Sequence, residues 1–410
     1  MRMSKKKEIV PKFRFPEFQR DGIDFVHGNK LFKSITNKNH NSDLPILAIT
    51  QDQGAVPRDQ IEYNVTVTDK SLSNYKVVEV GDFIISLRSF QGGIEYSRFK
   101  GICSPAYIIL RKREENISEL YYKYFFKTWR YIQSLNRNLE GIRDGKMISY
   151  SQFSSVKVPY PRSFKEQQKI ADCLSSIDEL IDAESRKLKA LEKYKKGLMQ
   201  KLFPAEGKTL PEWRFPEFQG CGEWKSKSIG KACKMFSGGT PDTSKKEFYG
   251  GTIPFIRSAE INKSSTELFI TEEGFKNSSA KMVKKGDILI ALYGANSGEV
   301  ALSKIDGAIN QAILCLRHET NNVFVYHYFA HMKNWIISKY IQGGQGNLSG
   351  QIIKSVNLYF PKAEEQQKIA DFLSEIDTMI TGQSNKVEQL KAHKKGLMQG
   401  LFPSLEEADV

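Results

Sequence analysis

The chain has 410 residues, of which 40% are hydrophobic and 26% are charged. This length predicts two or three domains, and this composition excludes a wholly disordered protein. The sequence contains no run of 18 apolar residues, and Met1–Val10 carries Lys5-Lys6-Lys7 and no apolar signal core, so we expect a cytoplasmic protein with no membrane partner.

The net charge is +14, and it is concentrated in the first half, since residues 1–204 carry +12 and residues 205–410 carry +2. Such an excess favours an acidic partner, most often nucleic acid.

The five cysteines show no CxxC spacing, which predicts reduced thiols without a metal. They are Cys103, Cys173, Cys221, Cys233 and Cys315.

The first half begins with a basic lead-in over residues 1–20, which includes Arg14-Phe15-Pro16-Glu17-Phe18-Gln19. A first domain is predicted over residues 21–163, with a helix over Ser118–Leu135 followed by a polar, basic segment. Its apolar runs predict strands at Pro45–Thr50, Asn64–Thr68, Lys76–Val80, Asp82–Leu87, Ala106–Leu110 and Val156–Pro159.

A long helix is predicted over residues 164–204, where the sequence from residue 166 reads EQQKIADCLSSIDELIDAESRKLKALEKYKKGLMQKLFP. Apolar residues alternate at spacings of three and four, interrupted by Glu184 and Lys195, as in the seam of a coiled coil. Roughly 35 helical residues at 1.5 Å rise extend about 50 Å, and the helix must end at Pro204. The seam consists of Ile170, Leu174, Ile177, Ile181, Leu188, Leu191 and Leu198. An amphipathic helix that packs only on its own domain remains an alternative.

The second half repeats this order. A linker at residues 205–220 contains Arg214–Gln219, which repeats Arg14–Gln19. The helix returns 199 residues on at residues 363–403 and ends at Pro403, and a tail follows at 404–410. Gln383 and Lys394 occupy the matching polar slots of the seam. A second domain over residues 221–362 carries a Gly-rich segment at 342–349. Its predicted elements are strands at Thr252–Arg257, Asp287–Leu292, Ala308–Leu316 and Val356–Phe360 and a helix at Val323–Tyr340. Gly81-Asp82-Phe83 corresponds to Gly286-Asp287-Ile288.

Motifs of the common enzyme classes are absent from the sequence. There is no phosphate-binding GxxxxGK[ST], no GxGxxG after a strand and no GxSxG nucleophile turn. His327 and His331 lie four apart but lack the glutamate of a zinc protease and a third ligand, so packed or surface histidines are the better interpretation. We therefore expect a chain without an active site of its own.

Two variable domains alternating with two helices that begin Glu-Gln-Gln-Lys-Ile-Ala-Asp resemble the specificity subunit of type I restriction-modification systems. Ser237-Gly238-Gly239-Thr240-Pro241 and Ala291-Leu292-Tyr293-Gly294-Ala295-Asn296 are similar to one type of target-recognition domain. Leu44–Thr50 and Cys103-Ser104-Pro105-Ala106-Tyr107 resemble another type.

The resemblance implies an α+β fold, with two mixed α/β target-recognition domains separated by two long antiparallel coiled-coil helices under a pseudo-twofold duplication. It also implies a non-catalytic subunit that reads an asymmetric, bipartite double-stranded DNA target with a nonspecific gap. Two adenine-methyltransferase subunits, and restriction subunits for ATP-dependent cleavage, would dock on it. The chain itself would bind no cofactor, whereas S-adenosylmethionine, ATP and Mg²⁺ would belong to its partners.

Candidate DNA contacts are polar or basic residues at strand ends and in loops, where side chains reach bases and phosphates. In the first domain they are Thr50, Gln51, Arg88, Ser89, Gln91, Ser104, Arg143 and Lys146. In the second they are Ser237, Thr240, Arg257, Ser258, Tyr293, Asn296, Ser297, Gln311, Gln345 and Asn347.

The outer faces of the two helices are identical at several positions, and since an apolar seam does not require identical polar residues, they predict a docking face for two copies of one partner. These positions are Gln167, Gln168, Lys195, Lys196 and Met199 in the first helix and Gln366, Gln367, Lys394, Lys395 and Met398 in the second. Two other functions remain open. A self-sufficient nuclease or methyltransferase would act without a partner, and an autonomous DNA-binding regulator with a structural coiled coil would need none.

Overall fold

The computed structural model describes residues 10–61, 72–137, 148–294, 296–340 and 348–403. The chain forms two units. Unit 1 comprises residues 1–184 together with 386–410, and unit 2 comprises residues 185–385. The strand predicted at residues 64–68 and the tail at 404–410 lie outside the described residues.

In the described part of the first half, the strands and helices are, in chain order, β1 (Ile23–His27), α1 (Gly28–Leu31), β2 (Phe32–Ile35), β3 (Leu47–Thr50), β4 (Gly54–Pro57), β5 (Lys76–Val78), β6 (Phe83–Ile85), α2 (Ser89–Gly92), β7 (Glu95–Tyr96), β8 (Gly101–Cys103), β9 (Ile108–Lys112), α3 (Glu119–Phe125), α4 (Trp129–Arg137), α5 (Tyr150–Ser155), β10 (Lys157–Pro161) and α6 (Phe164–Leu202).

The second half continues with β11 (Lys225–Ser228), α7 (Ile229–Ala232), β12 (Cys233–Ser237), β13 (Tyr249–Ile256), β14 (Phe269–Ile270), α8 (Glu272–Lys276), β15 (Lys281–Val283), β16 (Ile288–Ala291), β17 (Val300–Leu302), β18 (Gly307–Ile309), β19 (Ile313–His318), α9 (Asn322–Tyr340), α10 (Gly350–Ser355), β20 (Asn357–Phe360) and α11 (Ala363–Leu401).

A four-stranded antiparallel sheet of order β2-β9-β6-β7 forms the centre of unit 1. Its apolar face meets an aromatic cluster in which the Phe32 ring lies 5.3 Å from Phe83 and 5.2 Å from Tyr122, both edge to face. Such arrangements suit the ring quadrupoles. Leu174 of α6 and Leu401 of α11 complete this core. Both long helices therefore contribute apolar side chains to the core of unit 1.

Unit 2 repeats the central sheet as β12-β19-β16-β17. A second sheet, β14-β13-β18-β15, has no counterpart of that size among the described residues of unit 1, and β13 and β18 run parallel in it. Helix α9 packs against the central sheet, and its Tyr328 ring stacks 4.5 Å from Phe203 at the end of α6.

The Gly-Asp motif predicted to correspond in the two halves performs the same role in both. Asp82 accepts the amide of Glu79 and binds Arg111 on β9, while Asp287 accepts the amide of Lys284 and binds Arg317 on β19. The preceding glycines have φ of 95° and 89°, a conformation that favours glycine. The motif thus fixes the turn that leads into the central strand of each sheet.

Two predicted elements are broken in the structure. The helix expected over Ser118–Leu135 is interrupted at residues 126–128, where the hydroxyl of Thr128 donates to the carbonyl of Phe125 and competes with a helical amide. The strand expected over Ala308–Leu316 divides into β18 and β19. These two strands belong to different sheets of unit 2.

The long helices pair within each unit through the residues that interrupt the apolar seam. In unit 1, Lys394 of α11 binds Asp178 of α6 and Lys386 binds Glu184, both at 2.5 Å, so the segments run antiparallel. In unit 2, Lys195 binds Asp377 at 2.5 Å, which is the same pair 199 positions apart. Each helix ends two residues before its predicted proline. The predicted α+β fold, with two domains and an antiparallel helix pair under an internal duplication, is confirmed.

The repeated Arg-Phe-Pro-Glu-Phe element binds the start of a long helix in each unit. Arg14 donates to both carboxylate oxygens of Glu166 at 2.7 and 2.9 Å, and the Glu166 side chain is 0% exposed. Arg214 binds Glu365 in the same way at 2.7 and 2.7 Å. This contact explains why arginine in one motif and glutamate in the other are both repeated.

A second contact strengthens this attachment in both units. Lys169 of α6 binds Glu17 at 2.9 Å and lies 5.4 Å from the centre of the Phe15 ring. Lys368 of α11 repeats it with Glu217 at 3.5 Å and with the Phe215 ring at 5.6 Å. The lysine thus combines an exposed ion pair with a cation–π contact.

Removal of Arg14 tests the buried ion pair. We expect Arg14→Ala to destabilise unit 1 by about 3–5 kcal/mol, because it leaves the Glu166 carboxylate buried without a partner. The matched control is Lys100→Ala, whose pair with Glu79 is exposed on both sides and is worth at most about 1 kcal/mol. Hydrogen exchange of peptides from the start of α6 measures the effect, and equal protection in both variants would contradict it.

The second domain contains an ion pair that gives a pH-dependent prediction. Arg257 holds the pKa of Glu260 at about 2, well below its ordinary value of 4.5. A lowered folded-state pKa contributes stability above pH 4.5 that is lost as the pH falls toward 2. Hydrogen exchange around residues 257–267 should therefore accelerate on acidification below pH 4.5, relative to the intrinsic rate. Glu260→Gln should remove this dependence, and the exposed Glu247→Gln should retain it.

Candidate nucleic-acid and partner interfaces

The predicted contacts of unit 1 gather in loops at one end of its central sheet. Register places Ile85 opposite Ile108, so the loop after β6, with Arg88 and Gln91, lies beside the loop before β9 that contains Ser104. Gln51 joins them through a hydrogen bond to the Arg88 carbonyl at 3.5 Å. The side chains of Gln51, Arg88 and Gln91 are exposed.

Lys127 holds this group of loops together. Its ammonium group donates to the carbonyls of Gln51 at 3.1 Å and Gly92 at 2.9 Å, and to the carboxylate of Glu95 at 2.5 Å. Glu95 is 2% exposed, and its burial raises the pKa of its carboxyl group despite Lys127. The lysine thus links three chain segments beside the predicted contacts, a role that its sequence position did not indicate.

Other predicted residues of unit 1 support turns. The Ser89 hydroxyl is buried and accepts the amide of Ser86 at 2.9 Å, so Ser89 shapes the loop and does not face a ligand. Thr50 donates to the carbonyl of Gly54, and the Ser104 hydroxyl accepts the amide of Ala106. Arg143 and Lys146 lie outside the described residues.

Unit 2 gathers its predicted contacts at the equivalent sheet end. Ser237 of β12 lies opposite Leu314 of β19, and Ala291 of β16 lies opposite Ile313. The segments that carry Ser237, Thr240, Tyr293, Asn296, Ser297 and Gln311 are therefore neighbours. The Thr240 hydroxyl donates to the Gln311 amide oxygen at 2.9 Å, and Ser297 donates to the Leu292 carbonyl. Tyr293 is 41% exposed. Gln345 and Asn347 lie outside the described residues.

Arg257 is held by two carboxylates. It donates to Glu260 at 2.9 and 3.0 Å and to Glu267 at 2.6 Å, and the Glu260 side chain is 2% exposed. Its guanidinium is therefore neutralised and oriented by its own domain. We revise its predicted role from a DNA contact to a residue that shapes the turn containing Ser258.

Several residues of the predicted docking face are internal. Gln167 is 0% exposed, accepts the amide of Ser118 and donates to the carbonyl of Pro161. Gln366 is 5% exposed and donates to the carbonyl of Pro361. Both fix the helix start to the preceding strand, so their identity reflects folding within each unit. The prediction of an exposed face is wrong for these two glutamines.

The methionines and the first lysines of the same set also make internal contacts. Met199 is buried in the core of unit 2, and Met398 packs against the core of unit 1. Lys195 and Lys394 are the cations of the ion pairs between the helices. These four residues stabilise the units, which leaves a smaller set for a partner.

Identical polar residues that are exposed in both copies define what remains of the docking face. Unit 1 carries Gln168, Asp172, Lys395 and Gln399, and unit 2 carries Gln367, Asp371, Lys196 and Gln200. Asp172, Gln200 and their counterparts were not predicted. Each set combines residues from the start of one long helix with residues from the end of the other. In an antiparallel pair these two segments lie side by side.

His327 is a packed histidine, the interpretation that the sequence favoured over a metal ligand. It is 1% exposed, burial lowers its pKa to about 3, and its Nδ1 lies 3.9 Å from Asp377. In unit 1 the Tyr124 hydroxyl donates to the corresponding Asp178 at 2.8 Å. His331 stacks 5.7 Å from the Phe203 ring. Among the described residues, no three or more His, Cys, Asp or Glu side chains are grouped to hold a metal ion.

The five cysteines are free thiols, and burial raises the pKa of Cys103 and of Cys233 to about 12.

Across the described residues, none of the helices combines the length and apolar character that a bilayer span requires.

Known proteins share this architecture. A protein of Methanocaldococcus jannaschii, described as the putative type I restriction enzyme MjaX specificity subunit, is 26% identical over 306 residues, covering 72% of this chain and 70% of that protein. The MjaVIII specificity subunit of the same organism is 23% identical over 356 residues, covering 82% and 81%. The crystal structure of a type I restriction-modification S subunit from M. genitalium superposes with a TM-score of 0.60 at 16% identity, covering 96% of this chain and 99% of that one, which shows a common fold.

The sequence profile described as the type I restriction modification DNA specificity domain matches residues 21–193 and again residues 222–392. The two matches cover most of the chain, one for each half of the duplication. The chain therefore belongs to the family of type I restriction-modification DNA specificity subunits.

Proposed function

We propose that this chain is the non-catalytic subunit that reads an asymmetric, bipartite DNA target with a nonspecific gap in the cytoplasm. Residues 21–163 read one half-site and residues 221–362 read the other. The observation that carries this proposal is the repeated position of the exposed polar loops, which lie at the equivalent end of equivalent sheets. Because the side chains in those loops differ between the units, the two half-sites differ in sequence.

Base recognition is assigned to the exposed and half-buried members of each group. Gln51, Arg88 and Gln91 have side chains whose donors and acceptors match base edges, as do Asn296 and Gln311. Tyr293 offers an exposed aromatic ring beside them. Ser89 and Arg257, which are buried or neutralised, hold the loops in place.

The exposed identical residues of the long helices bind two adenine-methyltransferase subunits, one on each unit. Gln168, Asp172, Lys395 and Gln399 form the docking face of unit 1, and their counterparts form that of unit 2. The methyltransferase subunits supply S-adenosylmethionine, and restriction subunits add ATP- and Mg²⁺-dependent cleavage. Two identical partners on a duplicated scaffold match the approximate dyad of the DNA duplex.

Methylation mapping tests the recognition assignment. Coexpression of the chain with its methyltransferase subunit should produce 6-methyladenine at one gapped motif, read by single-molecule sequencing of the host genome. Asn296→Ala with Gln311→Ala should relax one half of the motif, whereas Arg88→Ala with Gln91→Ala should relax the other half. Each lost bidentate contact costs about 1–3 kcal/mol of discrimination.

The controls for this mapping are Gln60→Ala and Gln219→Ala, which remove exposed glutamines outside the candidate reading loops and should leave the motif unchanged. Methylation by this chain without a partner would contradict the proposal and indicate an active site. Relaxation of both half-sites by either double variant would contradict the division of labour between the domains.

Native mass spectrometry tests the docking assignment through stoichiometry. Substituting Lys395 and Gln399 with alanine removes only the face of unit 1, so we expect one methyltransferase subunit per chain in place of two. Adding Lys196→Ala and Gln200→Ala should abolish binding. The matched control is Glu192→Ala with Lys193→Ala, which alters exposed residues that differ between the two helices. Loss of both subunits in that control would contradict the assignment.

A further inference from the structure

A basic cavity of about 550 Å³ lies in unit 1, where the N-terminal segment crosses the end of α11. Its lining includes Lys12, Phe13, Arg130, His393 and Gly400, together with Gln399 of the docking face. The Phe13 amide donates to the Gly400 carbonyl at 2.8 Å. A Cβ atom at Gly400 would lie 2.1 Å from the Phe13 ring, so a larger residue at this position would require that ring to move.

Three nitrogen-bearing side chains at this cavity are exposed, those of Lys12, Arg130 and His393. Within the described part of the chain, no carboxylate lies within ion-pair distance of any of them. Nearby cations behave differently, because Arg14, Lys169 and Lys394 are each bound to a carboxylate. The cavity therefore presents positive charge that the fold leaves available to an anion.

Unit 2 has the same crossing without the charge. The Trp213 amide donates to the Lys201 carbonyl at 2.9 Å, as Phe13 does to Gly400. Glu212 takes the place of Lys12 and lies 3.9 Å from Lys201, and Tyr194 takes the place of His393. Since the backbone arrangement is shared, folding alone does not require the cations of unit 1.

The cavity lies close in the fold to the candidate base-reading loops. Arg130 is the second residue of α4 and lies three residues after Lys127, whose ammonium binds the carbonyls of Gln51 and Gly92. Asn136, further along α4, donates to the Phe90 carbonyl at 2.8 Å. Helix α4 thus ties one wall of the cavity to the loop that carries Arg88 and Gln91.

We infer that this cavity binds a backbone phosphate of the DNA that flanks the half-site read by unit 1. The inference rests on the proposed function, because it takes DNA to lie against the loops of unit 1. A flexible lysine and an arginine fork are suited to phosphate oxygens, and such contacts fix the register of a protein on the duplex without reading its sequence. Unit 2 lacks the contact, so the two half-sites are held with different dependence on salt.

The test measures binding of the chain in complex with its methyltransferase subunits to a duplex that contains the mapped target. Lys12→Gln with Arg130→Gln should weaken binding roughly tenfold at about 0.1 M salt and reduce the slope of log K against log salt by about one, the value for a single phosphate contact. The ratio of affinities for target and scrambled duplexes should stay unchanged, because phosphate contacts carry no sequence information.

A transplant provides the matched control. Glu212→Lys with Tyr194→His builds the counterparts of Lys12 and His393 into unit 2 and should increase the slope by about one. An unchanged slope in the Lys12 and Arg130 variant would overturn the inference. So would loss of methyltransferase subunits from that variant, since it would identify an acidic protein surface as the occupant. If the unaltered complex fails to distinguish target from scrambled DNA, the proposed function itself fails.

Discussion

Two buried ion pairs determine how this chain is assembled. Glu166 and Glu365 lie at the start of the long helices. Each is buried and binds an arginine that lies about 150 residues earlier in the sequence. A carboxylate in such a place is tolerated only while the partner remains, because its desolvation is uncompensated otherwise. The pair therefore fixes where each helix starts relative to the segment that precedes its domain.

Everything that varies between the units is built on this common frame. The central sheets share their order and the Asp–Arg contact at the entrance of the middle strand. The loops at one sheet end, by contrast, carry different polar side chains. A frame held by identical contacts can accept new loop residues without losing its core, which is how one fold supplies two different reading surfaces.

Much of the architecture was predictable because its signals are local or repeated. The helix periodicity, the constant offset between copies and the Gly-Asp turns identified the duplication and the two long helices, while the antiparallel pairing came from the family resemblance. The role of Gln167 was not predictable, because the residue type does not show whether a glutamine is buried against a strand or exposed to a partner. The prediction for Arg257 was wrong for a related reason. Glu260 lies three residues away in sequence, but Glu267 is brought to Arg257 only by the folded turn. Ser89 is buried by packing that residue type does not reveal.

The discontinuity of unit 1 has a consequence for synthesis on the ribosome. Unit 2 is a single continuous stretch, whereas the core of unit 1 includes Leu401 and Phe402, which are made after the whole of residues 185–385. While unit 2 is translated, the core of the first domain lacks these side chains and exposes apolar surface. In that state the first domain is prone to aggregation and can bind chaperones. The closing contact in unit 2, between Lys201 and Trp213, spans a short loop, whereas the equivalent contact between Phe13 and Gly400 spans nearly the entire chain. Loop-closure entropy makes the Phe13–Gly400 contact costlier than its counterpart by about 3 kcal/mol, so the first domain closes against the larger entropic cost.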